Sequence, residues 1–280
     1  MSILSAISRS PNGDRSLVDY ALLGCVDLLD GLRQWRLCYL LATADMRRRF
    51  ARSKLGQLWI MLSGAILVVA LGAVWSYLWH QPIHDMLPYV AVSMMTWQLI
   101  SSVILESTTA LPASSNYFLN QYTSTSTIVY AVIYRGVTTY LLNMVFPLLI
   151  CLFFDVRFTS YAFMCIPGAF LLFVTFVWMS YMAAILCARF RDVVQIVSSV
   201  MQIIFFVTPV LWKAELLPPE VSWIAELNPF AAMLSVVRDP LLGRPVSGLV
   251  WAATFVLAFG GLAVTLPFFG RFRRRVVYWL

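Results

Sequence analysis

The chain has 280 residues, of which 61% are apolar and 12% charged, and it carries a net charge of +7. That share of charge is about half of what a soluble globular domain carries, so the composition excludes a water-soluble fold and indicates a polytopic, all-α membrane protein. Lys54 and Lys213 are the two lysines, and neither stands in a glycine-rich turn as Gly-Lys-Ser/Thr, so no phosphate-cradling nucleotide loop is present and any ATP-driven work calls for another polypeptide.

Residues 1–26 hold Pro11, Gly13 and several serines, lack the apolar core of a cleavable signal peptide, and read as a cytoplasmic tail. Residues 27–54 read as an interfacial segment. Leu28, Leu32, Trp35 and Tyr39 share one helical face, with Asp27, Asp30 and Gln34 opposite, and a basic run of Arg47, Arg48, Arg49, Arg52 and Lys54 follows. A helix of this kind lies in the headgroup plane. Its arginines have two open uses: anchoring to membrane lipids, or, for Arg47, Arg48 and Arg52, bidentate contact with a diphosphate-bearing lipid.

Residues 55–280 read as a transmembrane domain of six spans, since crossing a hydrocarbon core of about 30 Å takes roughly 20 residues. The spans are expected at Leu55–Trp79, Met86–Leu105, Gly136–Phe154 (entering near Ile128), Phe158–Ala188, Val193–Trp212 and Val246–Gly270. Pro167-Gly168 is expected to kink the fourth span or mark a loop-like start. With both termini cytoplasmic, basic residues split 16 inside to 4 outside, the four being Arg157, Lys213, Arg238 and Arg244. This asymmetry accounts for the net charge without nucleic-acid binding.

The stretch from Ser107 to Thr127 is expected to be a connecting loop or a partner-contact surface with a short helix around Ser114 to Asn120. Residues 213–245 are expected to form an outer re-entrant hairpin of two short helices. One starts at Pro218-Pro219-Glu220 and runs through Glu226; the other is capped by Asn228, starts at Pro229 and stops after Val237, before Asp239-Pro240. Such helices can close the exit of a pathway or only buttress the flanking spans. Glu106, Arg135, Arg189, Arg191 and Asp192 can all sit at the interface by snorkelling. Trp75, Tyr77, Trp79, Tyr89 and Trp97 suit an interfacial aromatic belt, or a channel wall where rings stack on sugar faces. His80 and His84 have metal-like spacing, but Pro82 between them breaks the helix that would align them, and only Asp85 stands near as a third ligand. The five cysteines show no disulfide or zinc spacing, and no nucleophile elbow or carboxylate pair marks a membrane active site.

The segment Arg47-Arg-Arg-Phe-Ala-Arg-Ser-Lys-Leu-Gly-Gln-Leu-Trp59 resembles the basic lead-in to span one of type-2 ATP-binding-cassette permeases that export polysaccharides. Ala188-Arg-Phe-Arg-Asp-Val193, Phe205-Phe-Val-Thr-Pro-Val210, Asn228-Pro-Phe230, Val237-Arg-Asp-Pro-Leu-Leu-Gly243 and the closing Arg273-Arg-Arg-Val-Val-Tyr278 follow in the order of that family. Within it the chain looks most like lipopolysaccharide O-antigen permeases, with capsule and teichoic-acid exporters as relatives. The resemblance implies a multi-pass subunit of the bacterial inner membrane, forming a homodimeric pore with a second copy of itself. Two cytoplasmic ATPase subunits would bind ATP and Mg, this chain binding no cofactor, and the cargo would be a polyprenyl-diphosphate-linked polysaccharide. It implies an interface helix at Trp35, a coupling loop including Tyr122, a further cytoplasmic loop of Arg189, Arg191 and Asp192, and an outer gate including Trp223, Asn228, Pro229 and Arg238. Trp75 and Tyr77 are candidate pore residues. The Thr/Ser run before Thr127 departs from the family by its poverty in basic residues. An integral-membrane glycosyl- or acyltransferase acting on lipid-linked sugars is the alternative, and the same permease fold exporting a drug or lipid is a third reading.

Overall fold

The computed structural model describes residues 16–50, 56, 58–114, 124–157, 159–218, 220–272 and 275–279. Among the described residues every regular element is helical. In chain order these are α1 (Leu17–Arg33), α2 (Trp35–Phe50), α3 (Leu58–Leu78), α4 (Ile83–Ala113), α5 (Thr125–Asn143), α6 (Val145–Phe153), α7 (Cys165–Arg189), α8 (Asp192–Val207), α9 (Trp223–Glu226), α10 (Pro229–Leu241) and α11 (Gly248–Phe272). Short 3-10 turns lie at Ser160–Met164, Ala214–Leu216 and Val276–Tyr278.

Five stretches among the described residues are long and apolar enough to cross a membrane: Met61–Leu78, Ile83–Ala113, Thr125–Phe153, Ser160–Arg189 and Gly248–Phe272. α4 is the central strut, with 78% of its apolar window buried against 11% for α3. It packs on α3, α5, α7 and, less extensively, α8 and α10. Two of its hydroxyls are satisfied within the helix, Thr96 Oγ1 donating to Val92 O at 2.9 Å and Ser107 Oγ to Val103 O at 2.6 Å. α8 is apolar but shorter, at 16 residues. It stops at Val207 because Thr208 turns extended and Pro209 has no N–H to continue the ladder. The expected fifth span is thus helix only to Val207, followed by a turn through Trp212.

Several boundaries move for identifiable reasons. The stretch expected to run as one helix from Leu28 to Tyr39 is two helices bent at Gln34, whose N–H bonds Asp30 O and Gly31 O to close α1. α1 itself starts at Leu17 under a capping box, with Ser16 Oγ accepting from Asp19 N at 3.2 Å and the Asp19 carboxylate accepting from Ser16 N at 2.9 Å. The expected loop from Ser107 to Thr127 is shorter at both ends: Ser107 to Ala113 continue α4, and Ser124 caps α5 at Thr125. The short helix expected around Ser114 to Asn120 falls largely outside the described residues. Pro167-Gly168 opens α7 directly after the 3-10 turn, as a loop-like start would have it. Among the described residues from 213 to 228, only Trp223–Glu226 is α-helical. α10 runs through Asp239-Pro240 and not only to Val237, because the stop lies further on. Gly243 takes φ +71, its N–H bonds Pro240 O at 3.1 Å, and Arg244 N bonds Asp239 O at 2.8 Å, a Schellman closure that leaves Pro240 in the final turn.

α1 lies against α11, a crossing set by glycine on each side. Gly270 faces the Tyr20 carbonyl, and a Cβ added to Gly24 would stand 2.6 Å from Leu266 O, a backbone atom that cannot rotate away. Gly24→Ala is therefore expected to destabilise by about 1–3 kcal/mol through overpacking. Gly248→Ala, where a Cβ meets open space, should be neutral or better. Thermal unfolding of the detergent-purified protein compares the two, and equal midpoints would refute the crossing as the constraint.

Candidate functional site

The strut α4 carries a polar cluster at each end. Tyr89 and Glu106 are seventeen residues apart on it, which is about 25 Å of helix, close to the thickness of a hydrocarbon core. At one end Arg135 of α5 directs Nε to Glu106 Oε2 at 2.7 Å and Nη1 to Asp45 Oδ2 of α2 at 2.9 Å. Arg49 Nη2 pairs with Glu106 Oε1 at 2.8 Å and Arg48 Nη2 with Asp45 Oδ1 at 3.4 Å. The Arg135 side chain is 12% exposed. It does not snorkel, as the sequence suggested; it turns inward because a guanidinium withdrawn from water needs carboxylates for its fork. The cluster locks α2 onto α4 and α5 and lines a cavity of about 310 Å³.

A second seam ties α1 and α2 to the first turn of α5. The Asp27 carboxylate accepts from Ser124 Oγ at 3.1 Å and from Ser126 Oγ, while Thr127 Oγ1 donates to Gln34 Oε1 at 2.9 Å. Cys38 Sγ lies 3.5 Å from Thr127 O, and burial pushes its thiol pKa up. The polar face of the amphipathic segment is thus its protein face. Leu32, Trp35 and Tyr39 point outward, together with Tyr134 beside an apolar groove. The hydroxyls of Ser124, Ser126 and Thr127, considered above as a partner surface, are used inside the chain.

At the other end of α4, Arg238 of α10 is buried. Its Nη1 donates to Tyr89 Oη at 2.7 Å and to Pro209 O at 2.9 Å, its Nε to Asp239 Oδ1 at 2.6 Å, and its guanidinium stands 4.5 Å from the Tyr89 ring centroid. Asn228 Oδ1 caps α10 by accepting from Phe230 N at 2.9 Å, and its Nδ2 donates to Thr208 Oγ1, also at 2.9 Å. Thr208-Pro209 at the end of α8 is therefore gripped twice by α10, through Asn228 and through Arg238.

The remaining candidates are placed separately. Trp75 stacks on Trp79 at 6.3 Å, packed toward Met86 and Tyr89, whereas Tyr77 is 83% exposed, so the two do not share a surface. Trp223 is exposed on α9, and Pro229 is the first residue of α10. Arg189 stacks on Trp279, 5.1 Å from its ring, joining the end of α7 to the C-terminal turn. Arg191 and Asp192 are exposed at the start of α8, and Arg47 is exposed at the end of α2. Arg52 and Tyr122 lie outside the described residues.

α8 has three faces, a pattern the sequence reading missed although a 100° step per residue reveals it. Val197, Met201, Ile204 and Phe205 face the bundle. Val193, Ile196, Val200, Ile203 and Val207 make an apolar flank, while Gln195, Ser198, Ser199 and Gln202 form an exposed polar stripe beside it. Amides and hydroxyls on such a helix are unfavourable against hydrocarbon and fit water, a polar cargo or another protein surface.

Replacing Arg135 by Gln is expected to cost about 1.5–3 kcal/mol of stability, since Glu106 and Asp45 lose their shared buried partner and keep only the exposed Arg49 and Arg48. Adding Glu106→Gln should recover part of that cost, and strictly additive losses in unfolding measurements would refute the coupling. Asn228→Ala should cost about 1–2 kcal/mol from the lost cap alone.

The family model described as ABC-2 type transporter matches residues 36–242, from the start of α2 through α10. Two similar proteins are O-antigen export system permease proteins RfbA of Klebsiella pneumoniae. One is 29% identical over 79 residues, covering 27% of this chain and 30% of that protein; the other is 30% identical over 77 residues, covering 28% and 29%. The chain thus matches less than a third of the length of these curated relatives. With the family match across most of its helices, this multi-pass membrane protein belongs to the ABC-2 type transporter family.

Proposed function

We propose that the chain is the membrane-spanning subunit of an ATP-driven exporter that moves lipid-linked polysaccharide, O-antigen in the first instance, through a pore formed with a second copy of itself. The observation that carries this reading is the polar stripe of Gln195, Ser198, Ser199 and Gln202 on an otherwise apolar helix. Hydroxyls and amides exchange hydrogen bonds with sugar hydroxyls one at a time, which suits passage better than tight binding. The names of the Klebsiella relatives support a glycan cargo. In this reading α8 with the Thr208–Trp212 turn is the fifth of six spans, α9 and α10 re-enter the outer face, and both termini are cytoplasmic in a bacterial inner membrane. Two ATPase subunits bind ATP and Mg on the cytoplasmic side, where Trp35, Tyr122, Arg189, Arg191 and Asp192 are candidate contacts. Arg47, Arg48 and Arg52 face the diphosphate of the lipid carrier. Trp75, Tyr77 and Trp223 belong to the pathway and gate, with Asn228, Pro229 and Arg238 holding the gate in place.

Deleting the gene should leave lipid-linked polymer inside the cell and remove it from the surface. Gln195→Leu combined with Gln202→Leu should lower surface polymer by about tenfold, equivalent to about 1.4 kcal/mol of barrier, at unchanged protein abundance. Loss of polymer everywhere in the deletion strain, or turnover of a lipid-linked sugar by the purified chain alone, would replace export by synthesis.

A further inference from the structure

Beside the Arg238 clamp lies a cavity of about 460 Å³ that the export reading leaves without a role. This falls in the size range of small-molecule sites, about 300–1,000 Å³. Its charged lining comprises Lys213, Arg238 and Arg244 against Glu215 and Asp239, a surplus of one positive charge. Both carboxylates are engaged: Asp239 by Arg238 at 2.6 Å, and Glu215 by Arg244 at 3.8 Å. Lys213 is 6% exposed, makes no ion pair with a described carboxylate, and has its Nζ 5.9 Å from the Tyr89 ring centroid. Burial first, and then the like charge of Arg244, hold its ammonium below the ordinary lysine pKa, outweighing the opposite pull of Asp85 and Glu215. A cation withdrawn from water without a carboxylate, beside a second that is only weakly paired, forms half of an anion site.

The depth of the cavity indicates which anion. Trp75, Trp79 and Trp212 gather around the Met86–Tyr89 cluster next to it, and such rings concentrate at headgroup level. The anion abundant there is lipid phosphate. Arg238 has four of its five N–H donors committed to Tyr89, Pro209, Asp239 and Ser235, so Lys213 and Arg244 are the groups best placed to bind.

We propose that this cavity binds the phosphate group of a lipid in the leaflet at its level, with Lys213 and Arg244 as the two ligands. The phosphate can belong to a resident phospholipid or to the diphosphate carrier of the cargo. The site depends on the membrane placement of this end of α4, not on export itself, and the test has no transport readout, so either reading can fail alone.

The test is acetylation of Lys213, read by mass spectrometry, on the full-length protein with its partner subunits, stripped of lipid in a phosphate-free detergent. The probes are phosphatidylglycerol, a polyprenyl diphosphate, inorganic pyrophosphate and uncharged diacylglycerol. Protection by phosphatidylglycerol assigns the site to resident lipid, and protection by polyprenyl diphosphate without phosphatidylglycerol assigns it to the carrier. Arg244→Gln should weaken the protecting lipid by about tenfold, and Arg244→Lys should retain it. Protection by pyrophosphate alone, equal protection by diacylglycerol, no protection at all, or unchanged affinity in Arg244→Gln overturns the proposal. The footprint on the unmodified protein stands even if the variants do not assemble.

Discussion

Two arginines out of reach of bulk water set the terms for the rest of the bundle. A buried guanidinium presents donors in a rigid fork, and each must find an oxygen, so the residues that supply those oxygens are constrained in turn. Arg135 draws Asp45 and Glu106 together and with them three helices. Arg238 draws the Tyr89 hydroxyl, the Pro209 carbonyl and Asp239 together and with them α4, α8 and α10. Because Glu106 and Tyr89 lie on the same helix, α4 joins the two knots, and its high burial follows from that position.

Away from the knots several hydroxyls are spent locally. Thr96, Ser107, Thr108 and Thr175 return their hydroxyls to their own helix backbones, so they place few demands on neighbours. α8 is the exception, with amides and hydroxyls gathered on one exposed flank. The contrast sets α8 apart from the well-packed α4 and α7.

The helical character and most of the apolar spans were legible because they rest on composition and length alone. Asn228 as a cap before Pro229 was legible too, since cap chemistry is local. What escaped depends on distant pairing. Asp45 gave no sign of meeting Arg135 ninety residues away, and Tyr89 read as one more belt aromatic until Arg238 was placed over it. The end of α10 was misplaced because Asp239-Pro240 is a strong local stop signal, while the actual stop needs Gly243 in a left-handed conformation two residues past the helix. The polar residues Asp27 and Gln34 of the amphipathic segment meet Ser124, Ser126 and Thr127 of α5, a pairing about ninety residues away that the local pattern could not show.

The double grip of α10 on Thr208-Pro209 has a mechanical meaning. A threonine hydroxyl and a proline carbonyl at the tip of α8 are both held by side chains of one neighbouring helix, so tip and neighbour transmit force as a crank and its pin. Leaning α8 aside therefore swings α10 with it. The two helices then share a single degree of freedom.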